Sequence, residues 1–427
     1  MKTTLSSLAR HAWRQAGRLW ALGLAAGLAV TMAATGPAAA HGEKSQAAFL
    51  RMRTLNWYDL KWSKREVQVN EEYEITGKLH IMNAWPAAVK VPDRAFLNTG
   101  QPGAVANRLG VWVGGQFTPR SVQLEVGKTY EFRVLLKARR PGHWHTHVQL
   151  SVETGGPIPG PGQYIDIKGN FADFRDDVKL LNGTTVNIEE YQLGRIYGWH
   201  VLWFVAGVAW VVFWFGKRGL TGRFIAVATG QAEDLIITPQ ERIVGAITLA
   251  ALLGTVIIFY GITAASFPNT IPLQAGDFHN IAYLENEVDA GPVKLKFVRG
   301  TYKVPGRELV ATFQVTNEGK DPIRLGEVNT AGLRFLNPDV YTTKVDYPDY
   351  LLADRGLSLS DNSPIQPGET KELTVTLQDA RWDTERLSGL AYDVDSSFAG
   401  VAFFFSSSGT RYPVEVGGPV IPTFLPV

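Results

Sequence analysis

The 427-residue chain contains no cysteine. That removes disulfide frameworks, thiolate zinc sites, iron–sulfur clusters and thiolate blue-copper centres together, because each requires a sulfur anion. Any metal must sit on nitrogen and oxygen. Methionine is scarce as well, four in all, and Met1 and Met32 fall in the first forty residues, so the soft ligands expected of an exchangeable Cu(I) carrier are thin. Charge excess is missing too: 42 Lys and Arg against 40 Asp and Glu give a net +2. Without a basic field there is no electrostatic basis for a nucleic-acid partner, and that class is excluded. Neither paired carboxylates suited to general acid–base work nor a Ser/His/Asp or phosphate-loop pattern occurs. What remains for chemistry is the set of eight histidines: His11, His41, His80, His143, His145, His147, His200 and His279.

Residues 1–40 read as a secretory signal peptide. Lys2, Arg10, Arg14 and Arg18 precede the apolar run Leu19–Thr35, and Gly36-Pro37-Ala38-Ala39-Ala40 supplies a small-residue cleavage site. The alternative is an uncleaved anchor, since the run approaches spanning length; Pro37 and the three alanines favour cleavage before His41.

Two later stretches, Ile196–Gly216 and Ile243–Ala265, lack Asp, Glu, Lys and Arg altogether. Each reaches the roughly 20 residues needed to cross a bilayer as a helix. The first carries Tyr197, Trp199, Trp203, Trp210 and Trp214, ring types that favour the lipid–water boundary. Lys217, Arg218, Arg223 and Arg242 punctuate the polar loop 217–242, which the positive-inside rule places in the cytoplasm. The flanking segments 41–195 and 266–427 then both face the exported side, where the signal peptide independently sends residue 41.

Those segments read as β-structure. Glu72–Met82, Ser121–Val126 and Thr129–Lys137 in the first, and Val293–Phe297, Glu308–Val315, Glu372–Leu377 and Phe398–Phe405 in the second, alternate apolar with polar residues, the period of a half-buried strand. Turn residues punctuate them. The expected fold is mainly β, two antiparallel sandwich domains joined by a two-helix transmembrane hairpin. Gly155–Gly162 is too rich in Gly and Pro for regular structure and is expected to be an ordered loop.

The strongest local signal is Gly142–Ser151. Strand alternation puts His143, His145 and His147 on one face, opposite Trp144, Thr146 and Val148. Polar strand faces carry histidine without any ligand role, so an H-x-H pair alone is weak. A second feature strengthens it: cleavage before His41 would create a terminus that offers an α-amine and an imidazole from one residue. That amine, with an unperturbed pKa of roughly 7.7–8.0, yields its proton to a metal near neutral pH. Amine, ring nitrogen and two strand imidazoles make an all-nitrogen tetragonal set, the preference of copper(II). The bland alternative for His41 is a frayed, solvated terminus. His80 reads as a satisfied strand residue, His200 as facing a protein neighbour within a span, and His279 as a loop residue.

With those residues in view, the chain resembles the B subunit of the membrane-bound copper monooxygenases, the particulate methane and ammonia monooxygenases. The likeness rests on His41–Arg53, on Lys137–Gly142 leading into Trp144–His147, on Gly155–Gly162, on Thr270–Gly276 and on Leu357–Pro364. It spans essentially the whole chain, and the methane-oxidising branch looks nearer. The resemblance implies two cupredoxin-like β-sandwich domains, at 41–195 and 266–427, with transmembrane helices at 196–216 and 243–265. It implies a methanotroph's inner or intracytoplasmic membrane with both large domains periplasmic, and assembly with A and C subunits into a trimer of heterotrimers. The activity it implies is oxidation of methane to methanol with O2. The family's copper ligands fall on His41, His145 and His147, with His143 a neighbour. A second copper site found in some members would fall on Asn56 and His80; Asn56 in place of an imidazole, with no clear third ligand near Tyr412, argues against it here. Other readings are the corresponding subunit of an ammonia or short-alkane monooxygenase, a membrane-anchored periplasmic copper carrier or assembly protein, and a scaffold with an incidental metal.

Overall fold

The computed structural model describes residues 46–217, 219–230, 237–268, 277–304, 307–340, 347–393 and 395–424. Residues 1–40, where a signal peptide is expected, and His41 lie outside the described residues. The chain divides into two compact units, one made of the residues through Asp173 together with those from Gly276 on, the other of Phe174–Ala275.

The first unit contains two β-sandwiches. In the N-terminal one, a sheet ordered β1 (Leu55–Trp62), β3 (Glu72–Ile81), β7 (Thr129–Ala138), β5 (Ala106–Val113), β6 (Gln116–Phe117) faces a sheet ordered β2 (Glu66–Gln68), β9 (Gly156–Lys168), β8 (Gly142–Val152), β4 (Ala95–Gly100). The expected alternation drives this arrangement. Along β7, Tyr130, Phe132, Val134, Leu136 and Ala138 are buried, and the intervening polar side chains are less so. In the C-terminal sandwich, β17 (Leu357–Leu359), β18 (Thr370–Gln378), β13 (Glu308–Asn317), β12 (Val293–Val304) and β21 (Ile421–Phe424) form one sheet. The other runs β16 (Leu352–Ala353), β15 (Leu333–Leu336), β14 (Ile323–Thr330), β19 (Ser397–Ser406), β20 (Arg411–Pro419).

Two segments differ from the sequence reading. Ser121–Val126 buries Val122 and Leu124 as alternation predicts, but its backbone bonds change partner at nearly every residue. Val122 pairs with Ala95, the Gln123 amide goes to Phe278 O and the Leu124 amide to Pro92 O. The result is isolated bridges instead of a ladder. Gly155–Gly162, expected as a loop, is strand from Gly156 onward, paired along β8. Pro157 and Pro159 alternate in the ladder, so their missing N–H groups fall on one side. Among the described residues β2 pairs with β9 only at Asp166–Lys168, and no strand is paired to that side at the prolines.

The sandwiches pack on each other. Tyr58 and Met82 of the first cluster with Ala399, Val401 and Phe403 of the second. Asn56 Nδ2 donates to Asn329 O at 2.9 Å and Asn329 Nδ2 to Trp57 O at 3.1 Å, a reciprocal pair that satisfies buried carbonyls across the seam. The short helix Ala48–Arg53 sends Ala48 and Met52 into the C-terminal core. Its Arg51, 6% exposed, pairs at 3.0 Å with Glu385, 2% exposed.

The second unit carries a small β-hairpin, β10 (Asp177–Lys179) with β11 (Thr185–Asn187), followed by helical segments. Leu193–Gly216 and Pro239–Ser266 are long and apolar enough to cross a membrane, and their apolar windows bury nothing within the protein. Helices apolar all round and unburied need an apolar solvent. Thr238 caps the second in a reciprocal capping box with Glu241, and Pro239 opens it. Trp199 meets Phe259 edge-on at 4.6 Å, and Arg195 donates to Thr263 Oγ1 at 2.7 Å, tying the two helices together. Arg223 of the intervening helix Leu220–Ala228 pairs with Glu241 at 2.7 Å.

Candidate metal centre

The site is built on β8 and β9. Thr146, Val148 and Leu150 of β8 are buried toward the core, which turns His143, His145 and His147 to the opposite face, where Gly162, Tyr164 and Asp166 of β9 stand across from them. The ladder shifts register just past His147, an irregularity that re-aims a side chain.

His145 and His147 come together and His143 does not join them. The first two rings stand edge to face, 4.3 Å apart, with His147 Nε2 3.0 Å from His145 Nδ1. His147 Nδ1 lies 2.9 Å from the Gly160 carbonyl. His145 Nε2 lies 2.5 Å from the hydroxyl of Tyr350, which reaches across from the second sandwich and also donates to Gly162 O at 2.8 Å. His143 turns outward, its Nδ1 2.6 Å from Asp166. Tyr164 stacks between, its ring 4.6 Å from both His143 and His145.

Gly162 makes this packing possible. A Cβ there would sit 2.6 Å from His147 Nδ1 and 2.8 Å from His145 Nε2. Tyr350 is fixed by its turn, Asp349–Leu351: Arg381 Nε donates to Tyr350 O at 3.0 Å and its Nη2 to Asp349 O at 3.1 Å, with Nη1 on both carboxylate oxygens of Asp379.

Two imidazole nitrogens 3.0 Å apart have the separation of adjacent ligands on one cation with metal–nitrogen bonds of about 2.0–2.1 Å. Among the described residues no group of three or more His, Asp or Glu could hold a metal. His41 lies outside the described residues.

The other described histidines have ordinary partners. His80, buried opposite Asn56 in the β1–β3 ladder, meets Thr129 Oγ1 at 2.9 Å through Nδ1 and Glu415 Oε2 at 3.1 Å through Nε2. Burial works against ionisation of Glu415. The bonds from His80 and from the Asn83 and Ala84 amides prevail and hold its carboxyl below the usual glutamate value. His279 Nδ1 meets Gln123 Oε1 at 2.6 Å, and His200 Nδ1 meets the Ile196 carbonyl of its own helix at 2.8 Å. Sequence reasoning missed Tyr350, Glu415 and Tyr164. Nothing local marks the first two, which reach their partners only through the docking of the sandwiches. Tyr164 was findable, standing directly across the ladder from His145.

A family model described as the B-subunit protein of a monooxygenase matches residues 42–424. The chain is 48% identical over 405 residues, 95% of this chain and 97% of the other, to a protein of Methylococcus capsulatus (Bath) described as the particulate methane monooxygenase alpha subunit. Among solved structures, the cupredoxin domain of amoB from Nitrosocaldus yellowstonii is similar at 18% identity, over 28% of this chain and 91% of that one, with a TM-score of 0.24. The Yersinia pseudotuberculosis adhesin InvE is similar at 8% identity, over 85% of this chain and 60% of that one, with a TM-score of 0.16. At such scores the strand order given above, and not the likeness, carries the fold.

Proposed function

This chain belongs to the monooxygenase B-subunit family, and from that premise we propose that it is the copper-holding B subunit of a particulate methane monooxygenase, which oxidises methane to methanol with O2. The observation that carries the copper reading is the pair of imidazole nitrogens facing each other at 3.0 Å on β8. In a chain without thiolates a nitrogen-rich set suits copper. His145 and His147 would hold the ion from the strand, and His41, once signal cleavage freed its amine, would complete the set. Copper bound there supplies a redox-active centre that can engage O2.

The chain's own residues hold and orient. Gly160 O and the Tyr350 hydroxyl fix the two rings, Gly162 leaves them room, and Tyr164 covers one face of His145. We assign hydroxylation to the assembled complex, with A and C subunits arranged as a trimer of heterotrimers. On this reading the chain is a multi-pass membrane protein, which its two long apolar helices support. Lys217, Arg218, Arg223 and Arg242 support a cytoplasmic loop between the helices and, with it, a periplasmic side for both sandwiches.

The test is metal analysis of the purified complex carrying His145→Ala or His147→Ala. Each should lose copper, measured per protomer, while the sandwiches stay folded. Unchanged copper in both variants removes these residues from the ligand set.

A further inference from the structure

We infer that Tyr350, supplied by the second sandwich, is a positioning residue that sets the tautomer of His145 and thereby decides which of its nitrogens is offered to a metal; this rests on the copper reading above and deepens it. The protons can be placed one at a time. A backbone carbonyl only accepts, so the 2.8 Å contact with Gly162 O takes the phenolic proton of Tyr350. Its oxygen is then an acceptor toward His145, and Nε2, at 2.5 Å, must be the N–H that donates to it. A neutral imidazole protonated at Nε2 carries its lone pair at Nδ1. That is the nitrogen aimed at His147.

The same logic applies to the second ring. The Gly160 carbonyl, 2.9 Å away, takes the Nδ1–H of His147 and leaves the lone pair at Nε2. Two lone pairs are thereby directed toward each other across 3.0 Å, the arrangement that a cation held between them would use. Without the Tyr350 hydroxyl, His145 can protonate at Nδ1 instead and donate to His147 Nε2. The pair then closes on itself as an ordinary hydrogen bond, and a metal must break that bond to enter. Tyr350 prevents this self-quenching, and Arg381 holds it in place by gripping the carbonyls of Asp349 and Tyr350. The cation site is thus coupled to the docking of the two sandwiches.

The experiment is Tyr350→Phe in the membrane-extracted complex, which keeps the ring and removes one oxygen. Copper affinity is read by chelator competition, and pulsed electron spin resonance reads the quadrupole coupling of the remote imidazole nitrogens, which responds to hydrogen bonding at that nitrogen. Losing such an outer partner typically costs about 10–100-fold in metal affinity. The expected result is a loss in that range, with the remote coupling of one imidazole shifted and assembly with the partner subunits retained. Arg381→Ala, which releases the turn and keeps the hydroxyl, is the second variant and should move affinity and coupling in the same direction. Unchanged affinity with unchanged couplings in either folded variant overturns the inference. Copper that is indifferent to His147 would instead sink the copper reading; copper that needs His147 and ignores Tyr350 sinks only the role of Tyr350.

Discussion

Gly162→Ala is the smallest change that should damage the proposed site directly. The backbone there poses no obstacle to an L-residue, since Gly162 lies outside the left-handed region; the effect is steric. An added Cβ lies 2.6 Å from His147 Nδ1, closer still to its Cε1, and 2.8 Å from His145 Nε2. Ordinary carbon contacts settle at about 3.5–4.0 Å, so the His147 ring must retreat by roughly 1 Å, and overpacking of this kind costs about 1–3 kcal/mol. Retreat weakens the bond to Gly160 O and opens the 3.0 Å gap between nitrogens. A ligand displaced in this way should lose copper affinity by about 10–100-fold, equal to about 1.4–2.8 kcal/mol. Chelator competition on the purified complex measures the affinity, and thermal unfolding shows whether the sandwiches survive. A Gly162→Ala complex that keeps wild-type affinity would refute the packing argument, because the rings would then have room that the structure denies them.

Three further outcomes concern the seam between the two sandwiches and, separately, the pair of long helices. Arg51→Met alone should destabilise by about 3–5 kcal/mol, because it takes the ion-pair partner from the buried Glu385, whereas Arg51→Met with Glu385→Leu should come back close to wild type; equal unfolding midpoints for single and double variants would contradict this. Glu415 has a depressed carboxyl value, so its stabilisation is complete above the unfolded value near ~4.3 and is lost as pH falls through the folded value. Thermal stability should decline in acid below about pH 4, less steeply in Glu415→Gln, and identical acid limbs would argue against the assignment. Arg195→Ala removes the bond to Thr263 and should loosen the two long helices without changing copper content, which metal analysis can check.

The strands were legible because their alternation matches burial: Glu72–Met82 anticipates β3, Thr129–Lys137 anticipates β7, and Glu308–Val315 lies within β13. The apolar helices were legible from their lack of charge, and they run somewhat beyond the charge-free stretches because helical caps tolerate polar residues. Ser121–Val126 misled because alternation reports burial and is silent about whether one strand or several loops receive the backbone bonds. Gly155–Gly162 misled in the opposite direction, since prolines two residues apart spare one edge of a strand. Within the site, alternation placed the three histidines on a shared face but could not distinguish His143 from the other two. That distinction comes from Asp166 and Tyr164 on one side and Tyr350 on the other. Contacts such as His145–Tyr350 and His80–Glu415 join residues far apart in sequence across the seam, so no local pattern encodes them.

One copper ion held between His145 and His147 is the claim on which the functional reading depends. The most direct measurement is an anomalous difference map of the native complex at the copper absorption edge. A peak about 2 Å from both His145 Nδ1 and His147 Nε2 is expected; copper density found elsewhere in the complex, with none between those two rings, would contradict it.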